Sequence, residues 1–224
     1  MSGRLTVVAT PIGNLDDLSD RARQALERAE LIACEDTRHS GKLLAHLGLK
    51  RKLISLHEHN ERARLPGLLD RLAAGDEIAL ISDAGTPLLS DPGFLLVREA
   101  AARGLRVEAV PGPSAVLTAL VVSALPPYPF TFAGFPPPKS GKRRTFFARF
   151  AHLGHTLVFF ESPHRLLPSL EDALTVFGDR PAAVLRELTK LHEEVTRAPL
   201  GTLVEQLRDK KPRGEYVVVI AGEG

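Results

Sequence analysis

The sequence has no tryptophan and a single cysteine, Cys34. One thiol excludes an internal disulfide and a multi-thiolate zinc site. Aromatic residues make up only 5% of the chain, too few for a broad surface on which bases could stack. No apolar run approaches the roughly 18–20 residues needed to cross a bilayer. Neither sign of charge dominates, since 29 Lys and Arg stand against 27 Asp and Glu, a formal net charge of +2. That balance names no partner, and only local clustering of basic residues could argue for nucleic acid. The first residues, Met1-Ser2-Gly3-Arg4, run straight into a strand-like segment, so no signal peptide is expected. The expectation is a soluble, cytoplasmic protein.

What is present is globular. Hydrophobic residues reach 44% and charged residues 25% in a chain of 224. That length allows one large domain or two small ones and a buried core. Short apolar, β-branched runs at 5–9, 31–34, 52–56, 77–82 and 106–110 read as strands. Helices are expected at 19–28, 40–47, 61–74, 94–103 and 114–124, several of them stopped by a glycine. Strict alternation implies parallel strands joined by helical crossovers. Leu125-Pro126-Pro127-Tyr128-Pro129 breaks the pattern and is the best boundary, giving an N-terminal α/β domain at 1–125 and a C-terminal one at 126–224. In the second half, strands are expected at 130–135, 156–161, 182–188 and 215–221. Helices are expected there at 145–153, 165–177 and 200–208, with 136–144 a loop. This half is also α/β, with more hairpin character.

The most informative stretch is Ser82-Asp83-Ala84-Gly85-Thr86-Pro87-Leu88-Leu89-Ser90-Asp91-Pro92-Gly93. It follows a buried parallel strand, and open α/β sheets bind ligands outside the carboxyl ends of their strands. Small residues let a ligand approach the backbone, Gly85 can take a positive φ, and Asp83 can accept hydrogen bonds from ligand hydroxyls or an amino group. The plain alternative is a tight loop with Asp and Pro at turn positions. Thr10-Pro11-Ile12-Gly13-Asn14 and Pro111-Gly112-Pro113-Ser114-Ala115 follow two further strands, so three small-residue loops could share one edge. Glu35-Asp36-Thr37-Arg38-His39 ends another strand, where an acidic residue can hold a ribose or simply cap a helix. Glu161-Ser162-Pro163-His164-Arg165 reads as a cap with proline at a helix start. Lys139-Ser140-Gly141-Lys142-Arg143-Arg144 is the only sharp basic cluster. It is either a mobile loop suited to RNA phosphates or a solvated one.

Familiar motifs fail inspection. Gly141-Lys142 is followed by Arg143 and preceded by Pro136 where a Walker loop needs its first Gly. No Gly-x-Gly-x-x-Gly follows the first strand. Gly112-Pro113-Ser114-Ala115-Val116 lacks the second Gly of a nucleophile elbow, which leaves Ser114 as a helix cap. His57-Glu58-His59 has no further ligand set, so no metal is expected.

Together these residues resemble a known family. The stretch from Ser82 to Gly93 is similar to the signature of the small-subunit methyltransferase I enzymes, which are 16S ribosomal RNA cytidine 2′-O-methyltransferases in the tetrapyrrole methylase (class III) superfamily. Val8-Ala9-Thr10-Pro11-Ile12-Gly13-Asn14-Leu15, Glu35-Asp36-Thr37-Arg38, Val110-Pro111-Gly112-Pro113-Ser114-Ala115, Phe160-Glu161-Ser162-Pro163-His164-Arg165 and Arg186-Glu187-Leu188-Thr189-Lys190 match in the same order. The resemblance covers nearly the whole chain. It implies an α/β fold of two αβα domains, with S-adenosylmethionine in a cleft between them. It also implies a homodimer and methyl transfer to a cytidine 2′-hydroxyl in 16S ribosomal RNA, free or in the small ribosomal subunit. Family members often carry an additional C-terminal segment, and this sequence ends just after its last strand.

The resemblance also implies roles for individual residues. Ile12, Asp83, Ala84, Gly85, Thr86, Pro87, Ser114 and Ala115 would line the cofactor site from the first domain, and Phe160 and Leu188 from the second. Arg38, Lys139, Lys142, Arg143, Arg144 and Arg165 would meet RNA phosphates. Glu35, Asp36 and Glu187 are candidates to orient or deprotonate the ribose hydroxyl, and Lys190 to lower its pKa. Two competing readings are a small-molecule, tetrapyrrole-like methylase of the same fold and a non-enzymatic RNA- or nucleotide-binding module.

Overall fold

A computed structural model describes residues 3–223. The chain divides into two units, Met1–Ser114 and Ala115–Gly224. The division falls before the helix at 115–122, whereas the sequence places the boundary after it.

In the first unit the elements run β1 (Arg4–Val8), α1 (Asp20–Arg28), β2 (Leu31–Cys34), α2 (Thr37–His46), β3 (Lys52–Ser55), α3 (Glu61–Ala74), β4 (Glu77–Leu80), α4 (Phe94–Ala102) and β5 (Arg106–Val110). The sheet order is β3-β2-β4-β1-β5, and every pairing is parallel. Successive side chains of a strand point to opposite faces. Leu31, Ala33, Ile78 and Leu80 therefore join one core with Leu68, Leu72 and Leu96 of α3 and α4. Ile32, Cys34, Ala79 and Ile81 join another with Ala22, Leu26 and Leu44 of α1 and α2. Both faces are covered, as the unbroken apolar runs of β2 and β4 require.

Local chemistry fixes the helix ends. Ser19 Oγ accepts from the Ala22 amide at 3.1 Å and caps α1. At the start of α4 the N-cap is Gly93, which offers no side chain. The missing acceptor comes from α3, where Glu61 Oε1 takes the amides of Leu95 (2.9 Å) and Leu96 (3.3 Å). A buried carboxylate thus faces the positive end of a helix, which stabilises both.

The second unit begins with α5 (Ala115–Val122) and continues through β6 (Phe130–Phe132), α6 (Ser140–Ala148), β7 (Thr156–Glu161), α7 (Leu166–Phe177), β8 (Pro181–Arg186), β9 (Glu194–Pro199), α8 (Leu200–Arg208) and β10 (Tyr216–Ile220). The sheet order is β6-β7-β10-β8-β9. Only β6 and β7 are parallel; β10 runs antiparallel to β7 and β8, and β8 to β9. Phe147, Phe159, Leu170 and Phe177 anchor the core between this sheet and α6, α7 and α8. Strand β9 lies at the sheet edge, and the sequence does not anticipate it. The expected strand at 182–188 ends at Arg186, where the turn into β9 begins.

The basic run departs most from expectation. It is not a loop, because α6 starts at Ser140. Nor is Arg143 a surface cation, being only 2% exposed. Its Nε donates to Asp172 Oδ2 of α7 at 2.8 Å, its Nη1 to the Pro138 carbonyl at 3.2 Å and its Nη2 to the Pro168 carbonyl at 3.1 Å. Ser140 Oγ donates to the other Asp172 oxygen at 2.8 Å. With its guanidinium enclosed and satisfied, Arg143 fastens α6 to α7 and cannot reach a phosphate, which corrects its assignment to RNA. Removing one partner of a buried pair leaves the other charge stranded. Arg143→Ala is expected to cost about 3–5 kcal/mol of stability, read by urea unfolding. A loss no larger than that of the exposed control Lys142→Ala would contradict this role.

Candidate active site

The loops that leave β1, β2, β4 and β5 emerge at one edge of the first sheet. The register aligns Val7 with Leu80, Ala33 with Leu80 and Val8 with Val110. Hydrogen bonds then tie the loops together. Thr10 and Gly85 exchange two main-chain bonds of 2.9 and 3.0 Å, and Thr10 Oγ1 donates to the Ser82 carbonyl at 3.3 Å. Thr86 Oγ1 donates to the Pro113 carbonyl at 3.1 Å. Asp83 Oδ1 accepts the Asp36 amide at 3.1 Å. Gly85 has φ of 79°, and a Cβ there would stand 3.2 Å from Ile12 Cγ2. The glycine is needed both for its left-handed backbone and for its closeness to Ile12. Ile12, Asp83, Gly85 and Thr86, named from sequence, are therefore brought together. Ser114 is buried and precedes the first residue of α5, Ala115.

The electrostatics of this edge are acidic. Burial raises the Glu35 carboxyl above the ordinary range, and Asp83 and Glu58 reinforce the shift. Asp36 behaves oppositely. A hydrogen bond from the Arg38 side chain, with its amide, holds Asp36 down at about 2. Arg38 Nη2 lies 2.8 Å from Asp36 Oδ2, so this cation is already paired. Asp36 also caps α2 through the Arg38 amide at 2.8 Å. Asp91 is a group that sequence reasoning passed over. Burial pushes its carboxyl up to about 6, opposed by a hydrogen bond from Ser82 and helped by Glu35 and Asp83. The signal for it was in the signature itself, whose second Ser-Asp pair repeats Ser82-Asp83.

In the second unit, Tyr216 pairs with Glu161 on one side and Arg186 on the other, so β7 and β8 end at one edge. Phe160 packs against Phe132 and Phe135, with ring centroids 4.9 and 5.4 Å away. Leu188 is buried in the turn after β8. In that turn Glu187 has φ of 50°, and its Oε1 accepts from the Glu215 amide (2.9 Å) and from Lys190 Nζ (3.0 Å). The Glu215 amide, with Lys190, holds the Glu187 carboxyl below its usual range despite burial. Burial would lower the Lys190 ammonium, but hydrogen bonds to Glu215 and Glu187 outweigh it and raise it. A Cβ on Gly214 would come within 2.7 Å of the Glu187 side chain, so glycine leaves room for this cluster. Arg165 is paired at 2.9 Å with buried Glu161, which also accepts from the Ser162 amide. Lys139, at the N-cap of α6, and Lys142 and Arg144 within it are exposed, Arg144 lying 3.3 Å from Asp172.

A family model described as Tetrapyrrole (Corrin/Porphyrin) Methylases matches residues 4–204. The chain belongs to the tetrapyrrole methylase family. A protein of Xylella fastidiosa (strain Temecula1) named ribosomal RNA small subunit methyltransferase I is 50% identical over 223 residues, covering 98% of this chain and 82% of that protein. Its namesake from Pseudomonas aeruginosa is 49% identical over 224 residues, with 99% and 79% covered. The Streptococcus pyogenes protein of that name is 43% identical over 221 residues, with 99% and 77% covered. Among solved structures, diphthine synthase superposes with a TM-score of 0.71 at 14% identity over 99% of this chain and 90% of that one. Uroporphyrin-III-C-methyltransferase from Thermus thermophilus superposes with 0.66 at 22% identity, over 98% and 94%. The tetrapyrrole methylase fold is thus established at the level of both sequence and structure. Among the described residues no helix is long and apolar enough to cross a membrane.

The raised Asp91 carboxyl couples folding to pH. Its folded value lies above that of an unfolded aspartate, so it favours folding at acid pH, and that contribution is lost as pH rises through about 6. Asp91→Asn is expected to flatten the fall in stability between about pH 4 and pH 6, measured by urea unfolding across that range. A variant whose profile parallels the parent's would show that Asp91 titrates as an ordinary aspartate.

Proposed function

We propose that this chain is an S-adenosylmethionine-dependent methyltransferase acting on a cytidine 2′-hydroxyl of 16S ribosomal RNA, free or within the small subunit, and working as a homodimer. One observation carries the reading. Relatives named ribosomal RNA small subunit methyltransferase I are 43–50% identical over nearly the whole chain.

The residues at the first sheet's edge fit the cofactor. In the loop from Asp83 to Pro87, Gly85 stands close to the apolar side chain of Ile12, and Thr86 is tied to Pro113, one residue before Ser114 and the start of α5 at Ala115. Carboxylates at Glu35, Asp83 and Asp91 suit a cationic ligand with ribose hydroxyls. When bound, S-adenosylmethionine supplies a methyl group already activated as a sulfonium, so much of the catalysis is positioning.

The protein's remaining task is the proton. A ribose hydroxyl is a weak acid, and a useful base has a pKa brought towards neutrality. Glu35 fits, because burial and neighbouring carboxylates raise it. Asp36 and Glu187 are held ionised by their donors and serve better to orient groups than to accept protons. Lys190, fixed between Glu187 and Glu215, holds that cluster in place. In this scheme Glu35 takes the hydroxyl proton onto a carboxylate oxygen.

The test is to treat 16S RNA and small subunits with purified protein and labelled cofactor, then map the methylated positions. A single cytidine 2′-O-methyl is expected, and Glu35→Gln should lower the rate about 10²–10⁴-fold with cofactor affinity retained. Methyl transfer to a porphyrinoid instead of RNA, or transfer to a base, would overturn the reading. A full rate in Glu35→Gln would remove Glu35 as the base.

A further inference from the structure

We infer that a basic cavity on the second unit, bounded by Arg186, Lys210, Lys211 and Arg213, receives the phosphodiester backbone of the RNA. The inference rests on the function proposed above and deepens it by naming where the strand is held. The cavity encloses about 130 Å³ between the ends of β8 and β9 and the chain that follows α8. Four cations line it against one carboxylate, Glu194, a formal balance of +3. Glu194 lies 3.8 Å from Arg186 Nη1, so the single acid is already engaged. Lys210, Lys211 and Arg213 have no ion-pair partner among the described residues.

This sets them apart from four of the six cations that sequence alone points to, Lys139 and Lys142 also being exposed and unpaired among the described residues. Arg38 is paired with Asp36, Arg165 with Glu161, and Arg143 and Arg144 share Asp172. Like charges gathered without counter-charge repel one another, and an anionic ligand relieves that repulsion. The segment that carries them is held in place, since Arg186 Nε donates to the Arg213 carbonyl at 2.8 Å. Size narrows the ligand. Small-molecule sites usually span roughly 300–1,000 Å³, and this cavity is far smaller, suiting a phosphate rather than a nucleoside. Position connects it to the chemistry. The residues that follow Arg186 and Arg213 are Glu187 and Gly214, and Glu187, Lys190 and Glu215 form the adjoining polar cluster.

The test compares the full chain with Lys210→Ala/Lys211→Ala/Arg213→Ala, using a 16S RNA fragment over a range of salt. All three side chains belong to exposed residues, so thermal stability and cofactor affinity should match the parent. RNA affinity at low salt is expected to fall at least about tenfold. The slope of log K against log salt should become shallower by about 2, at roughly 0.7 for each phosphate no longer neutralised. Identical affinity and slope in the two proteins would overturn the inference while leaving the function standing, provided the parent still methylates RNA. A parent that neither binds nor methylates RNA would bring down both. Inorganic pyrophosphate forms a second arm. If the parent binds it saturably, the variant does not, and the RNA curves coincide, the cavity takes a small anion and the RNA assignment is overturned.

Discussion

Two main-chain hydrogen bonds between Thr10 and Gly85 tie together the loops at the carboxyl edge of the first sheet. They form because β1 and β4 are parallel neighbours in register, so the loops leaving both strands start side by side. Neither loop could close on the other without Gly85, whose positive φ turns the chain back and whose missing side chain leaves room for Ile12. Thr86 then reaches Pro113 and Asp83 reaches Asp36, so the β2 and β5 loops are bound to the same frame. Each such bond is worth only about 1 kcal/mol. Their joint effect is to order four loops that would otherwise lose a ligand's binding energy to their own freedom.

The acidity of that edge follows from the same packing. Strands β2 and β4 are adjacent, so Glu35 after one and Asp83 after the other share a partly buried region, and Asp91 returns to it at the end of the β4 loop. Burial and mutual repulsion raise Glu35 and Asp91, whereas Asp36, one residue away from Glu35, is pulled down by Arg38. Neighbouring carboxylates are thereby separated into one suited to accept a proton and another fixed as an anion. In the second unit, the Glu215 amide and Lys190 hold the Glu187 carboxyl below its usual range.

Much of this was legible in the sequence. Unbroken apolar runs such as Leu31-Ile32-Ala33-Cys34 announce a strand buried on both faces, and α3, α8 and β7 span the residues their patterns predict. The glycine- and proline-bearing loops point to the ligand edge because a parallel sheet sends its carboxyl ends the same way. What the sequence hides depends on partners distant along the chain. Arg143 looks like any cation in a basic run until Asp172, on another helix, encloses it. Strand β9 is half exposed, so Glu-Val-Thr-Arg-Ala-Pro carries no apolar signature. Asp91 titrates unusually because the fold buries it, with Glu35 and Asp83 adding to the shift. The cations after α8 meet Arg186 only in the fold, where its Nε donates to the Arg213 carbonyl.

If the loops joined through Thr10 and Gly85 are the first unit's contribution to cofactor binding, the cofactor must slow their opening. Amide hydrogen exchange with and without S-adenosylmethionine measures this. Added protection is expected in residues 10–14 and 82–93, with α6 and its Arg143–Asp172 tie unchanged. Saturating cofactor that protects other segments and leaves these two as they were would contradict it.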